Sequence, residues 1–450
     1  MTTELLSPAG SLKNMRYAFA YGADAVYAGQ PRYSLRVRNN EFTLENLALG
    51  IQEAHQLGKK FYVVSNIAPH NAKLKTFIRD LTPVVAMQPD ALIMSDPGLI
   101  MLVREHFPTL PIHLSVQANA VNWATVAFWQ TQGISRVILS RELSLEEIAE
   151  IRQRVPEMEL EVFVHGALCM AYSGRCLLSG YLNKRDPNQG TCTNACRWDY
   201  KVTAARENEC GDIVERVSPA PTLGIGPTTQ QALLLTDKMR PDEPMSATED
   251  EHGTYIMNSK DLRAVEHVPR LSELGVHSLK IEGRTKSFYY CARTAQVYRK
   301  AIDDAQAGKP FDRSLLTTLE GLAHRGYTEG FLRRHTHDSY QNIQQGYSVS
   351  DRQQFVGEFS QARAQGFAEV IVKNKFQCGD QLEVMTPKGN FSFTLTTLRD
   401  KNHRDIIVAP GDGYRVWIPI PADTTLEFAL LVRHLEMGQT TQAPHRQDMV

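Results

Sequence analysis

The chain has no apolar run long and uncharged enough to span a bilayer. Its first residues, MTTELLSPAG, carry no basic segment followed by an apolar stretch, the pattern of a secretory leader. These absences set the expectation of a cytoplasmic protein with no membrane partner. An excess of charge is missing too. The 49 Lys and Arg residues stand against 50 Asp and Glu, a formal net charge of −1. Composition therefore gives nucleic-acid binding no support, and such binding would need a local basic patch. Three catalytic signatures are absent. No G-x-G-x-x-G follows the first apolar run, which weakens a dinucleotide-binding reading. There is no H-E-x-x-H and no G-x-S-x-G, which speaks against a peptidase of the common metal or serine type.

What remains is an ordinary globular composition, 42% hydrophobic and 22% charged, over 450 residues. That length suits two domains, or one large barrel with a smaller partner. A core of that size needs no disulfide staples. The seven cysteines then read as thiols or ligands. Four of them, Cys169, Cys176, Cys192 and Cys196, crowd the segment EVFVHGALCMAYSGRCLLSGYLNKRDPNQGTCTNACRW. Four soft thiolates suit an iron–sulfur cluster or structural zinc. The spacing is Cys-x6-Cys followed by Cys-x3-Cys. The wide first pair departs from the C-x2–4-C habit of zinc sites, so the spacing favours a [4Fe–4S] cluster. A Cys–His nucleophile made from Cys169 and His165 stays open, but it does not explain four clustered cysteines. Cys291 and Cys378 read as small buried residues, and Cys210 receives no role.

Apolar β-prone runs alternate with helical patterns from the start: ELLSPAG, DAVYAG, KKFYVVSNI, DALIMSD, PIHLSVQAN, SRVILSREL and LEVFVHGAL are strands separated by helices. Ser, Asn or Pro opens the helices and Gly closes them. The alternation breaks between about 169 and 253, a stretch rich in Gly, Pro, Asn and Thr. It resumes with TYIMNSKDL, a helix through HVPRLSELG, the strand HSLKIEG and a long helix from Phe288. The count predicts an α/β fold, a TIM-type (β/α) barrel over residues 1–335 that carries the cysteine-bearing insertion. A doubly wound sheet is the alternative. Residues 345–437 change style to short alternating strands with Gly, Pro and Asp turns, predicting a small antiparallel β-barrel domain. Residues 438–450 read as a mobile tail.

In such a barrel, chemistry sits at the C-terminal ends of the strands. Alternation places Ser115, Gln117 and Asn119 on one face of HLSVQAN, and Ser278, Lys280 and Glu282 on one face of HSLKIEGR, with Arg284 beyond. Candidate catalytic groups are His165, Lys260, Lys280, Glu282 and Arg284. Candidate substrate contacts are Asn66, Gln117, Asn119 and Arg141, on a rim that also holds Tyr27, His70, Asp96, Glu142 and Asn258. Arg and Lys in such a rim suit a carboxylate-bearing small molecule. Singly, each reads as well as a helix cap or an internal ion pair; Asp96 before Pro97 and Asp261 are cap candidates.

The motif E-V-F-V-H-G-A-L-C-x4-G-x-C-x-L-S, from Glu161 to Ser179, resembles the signature of the collagenase-like peptidase family U-32. SPAG, RDPNQGTC, CRW, NSKDL, SLKIEGR and RGYTEGFL extend that resemblance over nearly the whole chain. It implies a barrel with a [4Fe–4S] cluster held by Cys169, Cys176, Cys192 and Cys196, and a C-terminal β domain. It also implies oxygen-independent hydroxylation of RNA. The particular activity implied is conversion of the wobble uridine of tRNA to 5-hydroxyuridine, the first step toward 5-oxyacetyl derivatives, with prephenate as hydroxyl source. Lys260, Lys280 and Arg284 are then candidate clamps for prephenate, and Arg333, Arg334, Lys373 and Lys375 a candidate tRNA platform. An accessory or electron-donor protein is a further implied partner. The other readings are a peptidase and a zinc-stabilised RNA-binding protein.

Overall fold

The computed structural model describes residues 2–35, 41–168, 260–324, 326–333, 350 and 352–435 with their side chains, and residue 349, the strands within 200–254 and those at 441–442 by backbone alone. Among these residues, eight parallel strands close into a barrel. They are β1 (Glu4–Pro8), β2 (Ala25–Gly29), β3 (Lys60–Val64), β4 (Ala91–Met94), β5 (Ile112–Leu114), β6 (Arg136–Ile138), β7 (Glu159–Ala167) and β14 (Ser278–Ile281). Each pairs with the next, and β14 lies between β7 and β1 to seal the ring. The helices α1 (Leu12–Ala20), α2 (Leu44–Gln56), α3 (Asn71–Ala86), α4 (Pro97–His106), α5 (Trp123–Thr131), α6 (Leu145–Arg154) and α8 (Phe288–Gln306) follow strands in turn, and α7 (Val268–Glu273) precedes β14. Parallel strands under helices are covered on both sides, and β2, AVYAG, is accordingly buried throughout.

The helices begin where their caps allow. Ser11, Thr43, Asp96, Asn122, Ser144 and Ser287 each accept a hydrogen bond from the backbone N–H three residues on. Ser144 and Glu147 complete a capping box. Asp261 is not a cap. It opens β13 (Asp261–Arg263), a short strand that runs antiparallel along the end of β7 and parallel to β15 (Tyr327–Thr328). β13 therefore lies outside the ring of eight, and the strand HSLKIEG, not the one ending in NSKDL, completes the barrel. The reason is length. β7 has nine residues against three or four in β4, β5 and β6, so its far end projects past the rim and offers a free edge. The chain leaves for the insertion at the end of β7 and returns on β13, with Ala167 opposite Asp261. Inside the insertion, β8 (Tyr200–Glu207), β9 (Ile213–Glu215), β10 (Ala232–Asp237), β11 (Arg240–Asp250) and β12 (Gly253–Thr254) form an antiparallel sheet. The four clustered cysteines lie outside the described residues, as does most of the tail.

The C-terminal domain is antiparallel. Its main sheet has eight strands, β17 (Gln353–Ala364), β18 (Phe367–Val372), β20 (Gln381–Thr386), β21 (Gly389–Thr394), β22 (Leu398–Arg399), β23 (Asp405–Ile406), β25 (Arg415–Pro419) and β26 (Leu430–His434); β19 (Phe376–Gln377) pairs with β24 (Val408–Ala409), and β16 (Val349–Ser350) with β27 (Thr441–Gln442). Val356, Val370, Val384, Leu395, Ile418 and Leu431 fill its own core. Met385, Leu430 and Val432 instead join the core of the barrel. At this seam Arg293 of α8, fully buried, meets Glu383 of β20 through two hydrogen bonds of 2.9 and 3.0 Å. Gln353 and Asn390 bond the same carboxylate, and Tyr21 donates to the carbonyls of Met385 and Phe428.

Removing one member of a buried, bidentate pair strands the other charge in a low-dielectric seam. Arg293→Met should lower stability by about 3–5 kcal/mol, read from the urea midpoint. Adding Glu383→Leu should recover part of the loss; a single variant as stable as the parent would show the seam to be solvated.

Candidate active site at the barrel mouth

The barrel lumen is charged from floor to mouth. Neighbouring parallel strands put residues in register on the same side, so Glu4, Tyr62, His113, Arg136, Glu161 and Lys280 converge inside. At the floor, Arg136 donates to Glu4 at 2.6 Å, to Glu159 at 2.8 Å and to Glu161 at 3.2 Å. The Tyr62 hydroxyl donates to Glu4 at 2.8 Å, and the His113 ring meets Tyr62 edge-on. Burial alone would raise the Glu4 carboxyl, but the charge and hydrogen bond of Arg136 hold it below the usual range. Burial, with Arg136 and Lys280 nearby, pushes His113 well below an ordinary histidine, so it is neutral. One layer up, Lys280 Nζ donates to Glu161 Oε1 at 2.7 Å with both side chains buried. Burial lowers the Lys280 ammonium, against the opposing pull of Glu161.

Two rings organise the next layer. The Lys280 ammonium lies 4.3 Å from the centroid of Tyr27 and 5.4 Å from that of Phe163. The Arg141 guanidinium lies 3.7 Å over the same Phe163 ring, and Arg284 6.0 Å from the same Tyr27 ring. Arg141 is also paired with Glu282, and Arg284 donates to the Leu35 carbonyl at 2.7 Å. A Cβ at position 29 would fall 2.8 Å from Arg284 Nη1 and 2.3 Å from Ser34 Oγ, so only glycine lets the Arg284 side chain cross there. Three cations thus share two aromatic faces, with Glu161 below and Glu282 beside them.

A polar corner completes the mouth. Asn66 accepts from the Leu35 N–H at 3.1 Å and donates to Gln117 Oε1 at 3.1 Å; Ser115 also bonds Gln117. This grouping does not arise from strand alternation. β5 stops at Leu114, Val116–Ala118 is a 3-10 turn, and Asn119 is left-handed at φ 53°. The expected stripe on HLSVQAN is replaced by a turn that folds Gln117 back onto Ser115. Among the described residues, the buried Asn119 Oδ1 and Ser140 Oγ have no hydrogen-bond partner.

The structure brings together Lys280, Glu282, Arg284 and Arg141, with Asn66, Gln117 and Asn119 at the corner, and sets His165 and Lys260 apart. His165 would share the inward side with Glu161 and Phe163 by alternation. A register shift opposes Lys280 to Phe163 and Ile281 to His165, leaving Val164 as an extra residue. This bulge turns the His165 ring out of the lumen, onto Tyr298, Tyr290 and Tyr327, with Nδ1 3.3 Å from the Tyr298 hydroxyl. Lys260 runs past Gly326, at the foot of β13. Arg333 is tied to Glu266 at 2.8 Å and to Glu329 at 3.4 Å, and Lys373 to Asp412 at 3.4 Å. Arg334 and Asn258 lie outside the described residues. Cys291 is buried and its thiol is pushed up to about 12 by that burial, and Cys378 is half-buried. Missed from sequence were Glu161, Arg136 and Phe163. For Glu161 and Arg136 the available signal was a charged residue inside an otherwise apolar strand run, which costs too much unless paired inside; Phe163 carries no such mark.

Fold and mouth together define a (β/α)8-barrel protein with a cation-lined top face and an appended antiparallel β domain. Residues 10–342 match peptidase family U32, and residues 351–433 match the family U32 C-terminal domain. The chain belongs to peptidase family U32. It is 73% identical over 448 residues to tRNA hydroxylation protein P of Escherichia coli (strain K12), covering 98% of this chain and 99% of that one. It is 70% identical to the protein of the same name from Haemophilus influenzae, covering 98% of each. It is 27% identical to the 23S rRNA 5-hydroxycytidine C2501 synthase of Escherichia coli (strain K12), over 93% of this chain and 57% of that one.

Burial brings His165 down to about 3. The unfolded chain takes up that proton near pH 6.5, so between about pH 6.5 and 3 the unfolded state binds more protons and stability falls as pH falls. His165→Phe should flatten that limb by roughly 1.4 kcal/mol per pH unit, measured as urea midpoints from pH 7 to 4. An unchanged slope would place the ring in water.

Proposed function

We propose that this chain is an RNA-modifying hydroxylase that converts the wobble uridine of tRNA to 5-hydroxyuridine. The observation that carries the reading is 73% identity, end to end, with a tRNA hydroxylation protein. The rRNA hydroxycytidine synthase relative supports the same chemistry on a second RNA pyrimidine. An unpaired anticodon base is cheaper to extrude into a barrel mouth than one in a duplex.

Cys169, Cys176, Cys192 and Cys196 would hold a [4Fe–4S] cluster. The donor set fits: four thiolates are the ligands such clusters take. β7 ends at Ala167, on the C-terminal face of the barrel, and Cys169 follows it by two residues in the sequence. When bound, the cluster would supply electrons or a Lewis-acid centre. The chain's own residues bind and orient. Arg141 and Arg284 present guanidinium groups suited to carboxylates, and prephenate, a dicarboxylate, is the proposed hydroxyl source. Tyr27 and Phe163, both buried, carry these guanidinium groups and the Lys280 ammonium on their rings. The peptidase reading needs His165 as base to Cys169. With its ring enclosed by three tyrosines and its pKa about 3, His165 does not support it.

In a strain that lacks this chain and any oxygen-dependent parallel route, mass spectrometry of tRNA nucleosides should show loss of wobble 5-hydroxyuridine and its derivatives. Unchanged modification would overturn the reading. Cys176→Ala should remove both iron with acid-labile sulfide and the modification. Zinc alone in anaerobically purified protein would favour the RNA-binding alternative.

A further inference from the structure

We propose that Lys280 is an imine-forming lysine, and that its partner is the ketone of a 2-oxo acid. The inference starts from position. Lys280 is the third residue of β14, 3% exposed and inside the lumen, one layer beneath Glu282 and Arg284. A structural strut needs only to be paired. Lys280 is paired, but its ammonium also lies 4.3 Å from the centroid of the Tyr27 ring and 5.4 Å from that of Phe163. Arg141 and Arg284 stack on those same two rings. The two guanidinium groups and the amine are therefore neighbours across the same two rings, so a carboxylate bound by either guanidinium lies beside the amine.

That grouping specifies a ligand. A guanidinium recognises a carboxylate, and a desolvated amine beside other cations is a nucleophile for carbonyl carbon. Desolvation lowers the Lys280 ammonium, and Arg284 and Arg136 add to the lowering. A carboxylate with a ketone next to it, a 2-oxo acid, satisfies both. Glu161 supplies the proton traffic, with Oε1 2.7 Å from Nζ and Oε2 held by Arg136 at 3.2 Å.

The step balances. Glu161 takes one proton from the ammonium, and the free amine adds to the ketone carbon. A proton moves from nitrogen to the carbinol oxygen. Glu161 then returns its proton to that oxygen, which leaves as water, and a C=N bond replaces C=O. One ammonium and one ketone become one protonated imine and one water, with no change of oxidation state. Linking the site to this protein's reaction rests on the proposed function, because prephenate carries a 2-oxo acid side chain. The amine chemistry itself does not.

The test is reductive trapping of the full-length protein, purified anaerobically. Pyruvate, and separately prephenate, is added with cyanoborohydride, followed by intact mass measurement and peptide mapping. The expected result is one reduced adduct, at Lys280, with either acid. Glu161→Gln should slow trapping by roughly 10²-fold. Lys280→Arg keeps the charge beside Glu161 and should abolish both the adduct and tRNA hydroxylation while leaving the thermal melt close to the parent. Adducts confined to surface lysines, or no adduct on protein that hydroxylates tRNA, would overturn the proposal. Full modification of tRNA by Lys280→Arg would overturn it too, and the hydroxylase reading would survive. An adduct at Lys280 in a protein whose deletion leaves tRNA unchanged would sustain the proposal and remove the hydroxylase reading instead. Trapping on the parent protein needs no variant to fold.

Discussion

Arg136 does the electrostatic work of the barrel interior. The residue is 3% exposed and its guanidinium reaches three carboxylates, two of them inside the lumen. Without it, Glu4 and Glu161 would sit in a medium that disfavours bare charge by several kcal/mol each. With it, Glu161 keeps one oxygen facing down and turns the other toward Lys280. Everything above depends on that division. Lys280 is tethered because Glu161 is anchored, and its ammonium in turn meets the Tyr27 and Phe163 rings. An apolar core would close the barrel at lower cost. A charged one is retained here as a stack of paired layers, each oriented by the layer below.

The same stack explains how a compact lumen can present several cations at its mouth without flying apart. Arg141 faces Glu282, Arg284 is held by a backbone carbonyl, and both guanidinium groups spread over aromatic faces. The cations are pre-positioned by these contacts, which is the kind of preorganisation that lowers the cost of binding charge.

Much of this was legible from residues alone. The alternation of strand and helix was readable because each helix announces its own start: Asp96 before Pro97 caps α4 as its chemistry requires, and Ser11 and Ser144 cap α1 and α6. The sharing of a face by Lys280 and its neighbours followed from strand period. Four things were not legible. Bulges have no composition of their own, so the extra residue at Val164 that turns His165 outward left no mark. Strand direction is decided by which edge is free, and β13 reads like any other short strand until the overhang of β7 is known. Gln117 reached Asn66 for a reason alternation cannot supply, a 3-10 turn where strand was expected. Glu161 went unnoticed because pairing partners far apart in sequence are visible only once the ring has closed.

The overhang of β7 has a consequence for how the molecule is assembled. The excursion between β7 and β13 begins and ends at two adjacent points, Ala167 and Asp261, joined by ladder pairing. Topologically it is a side branch with a zipped neck. The barrel can complete its ring through β7 and β14 whatever the branch is doing, and the branch can gain or lose length for little entropy, since each doubling of a loop costs only about 0.6 kcal/mol. The scaffold and its cysteine-bearing branch are thus separable inheritances, able to drift, lengthen or be exchanged independently.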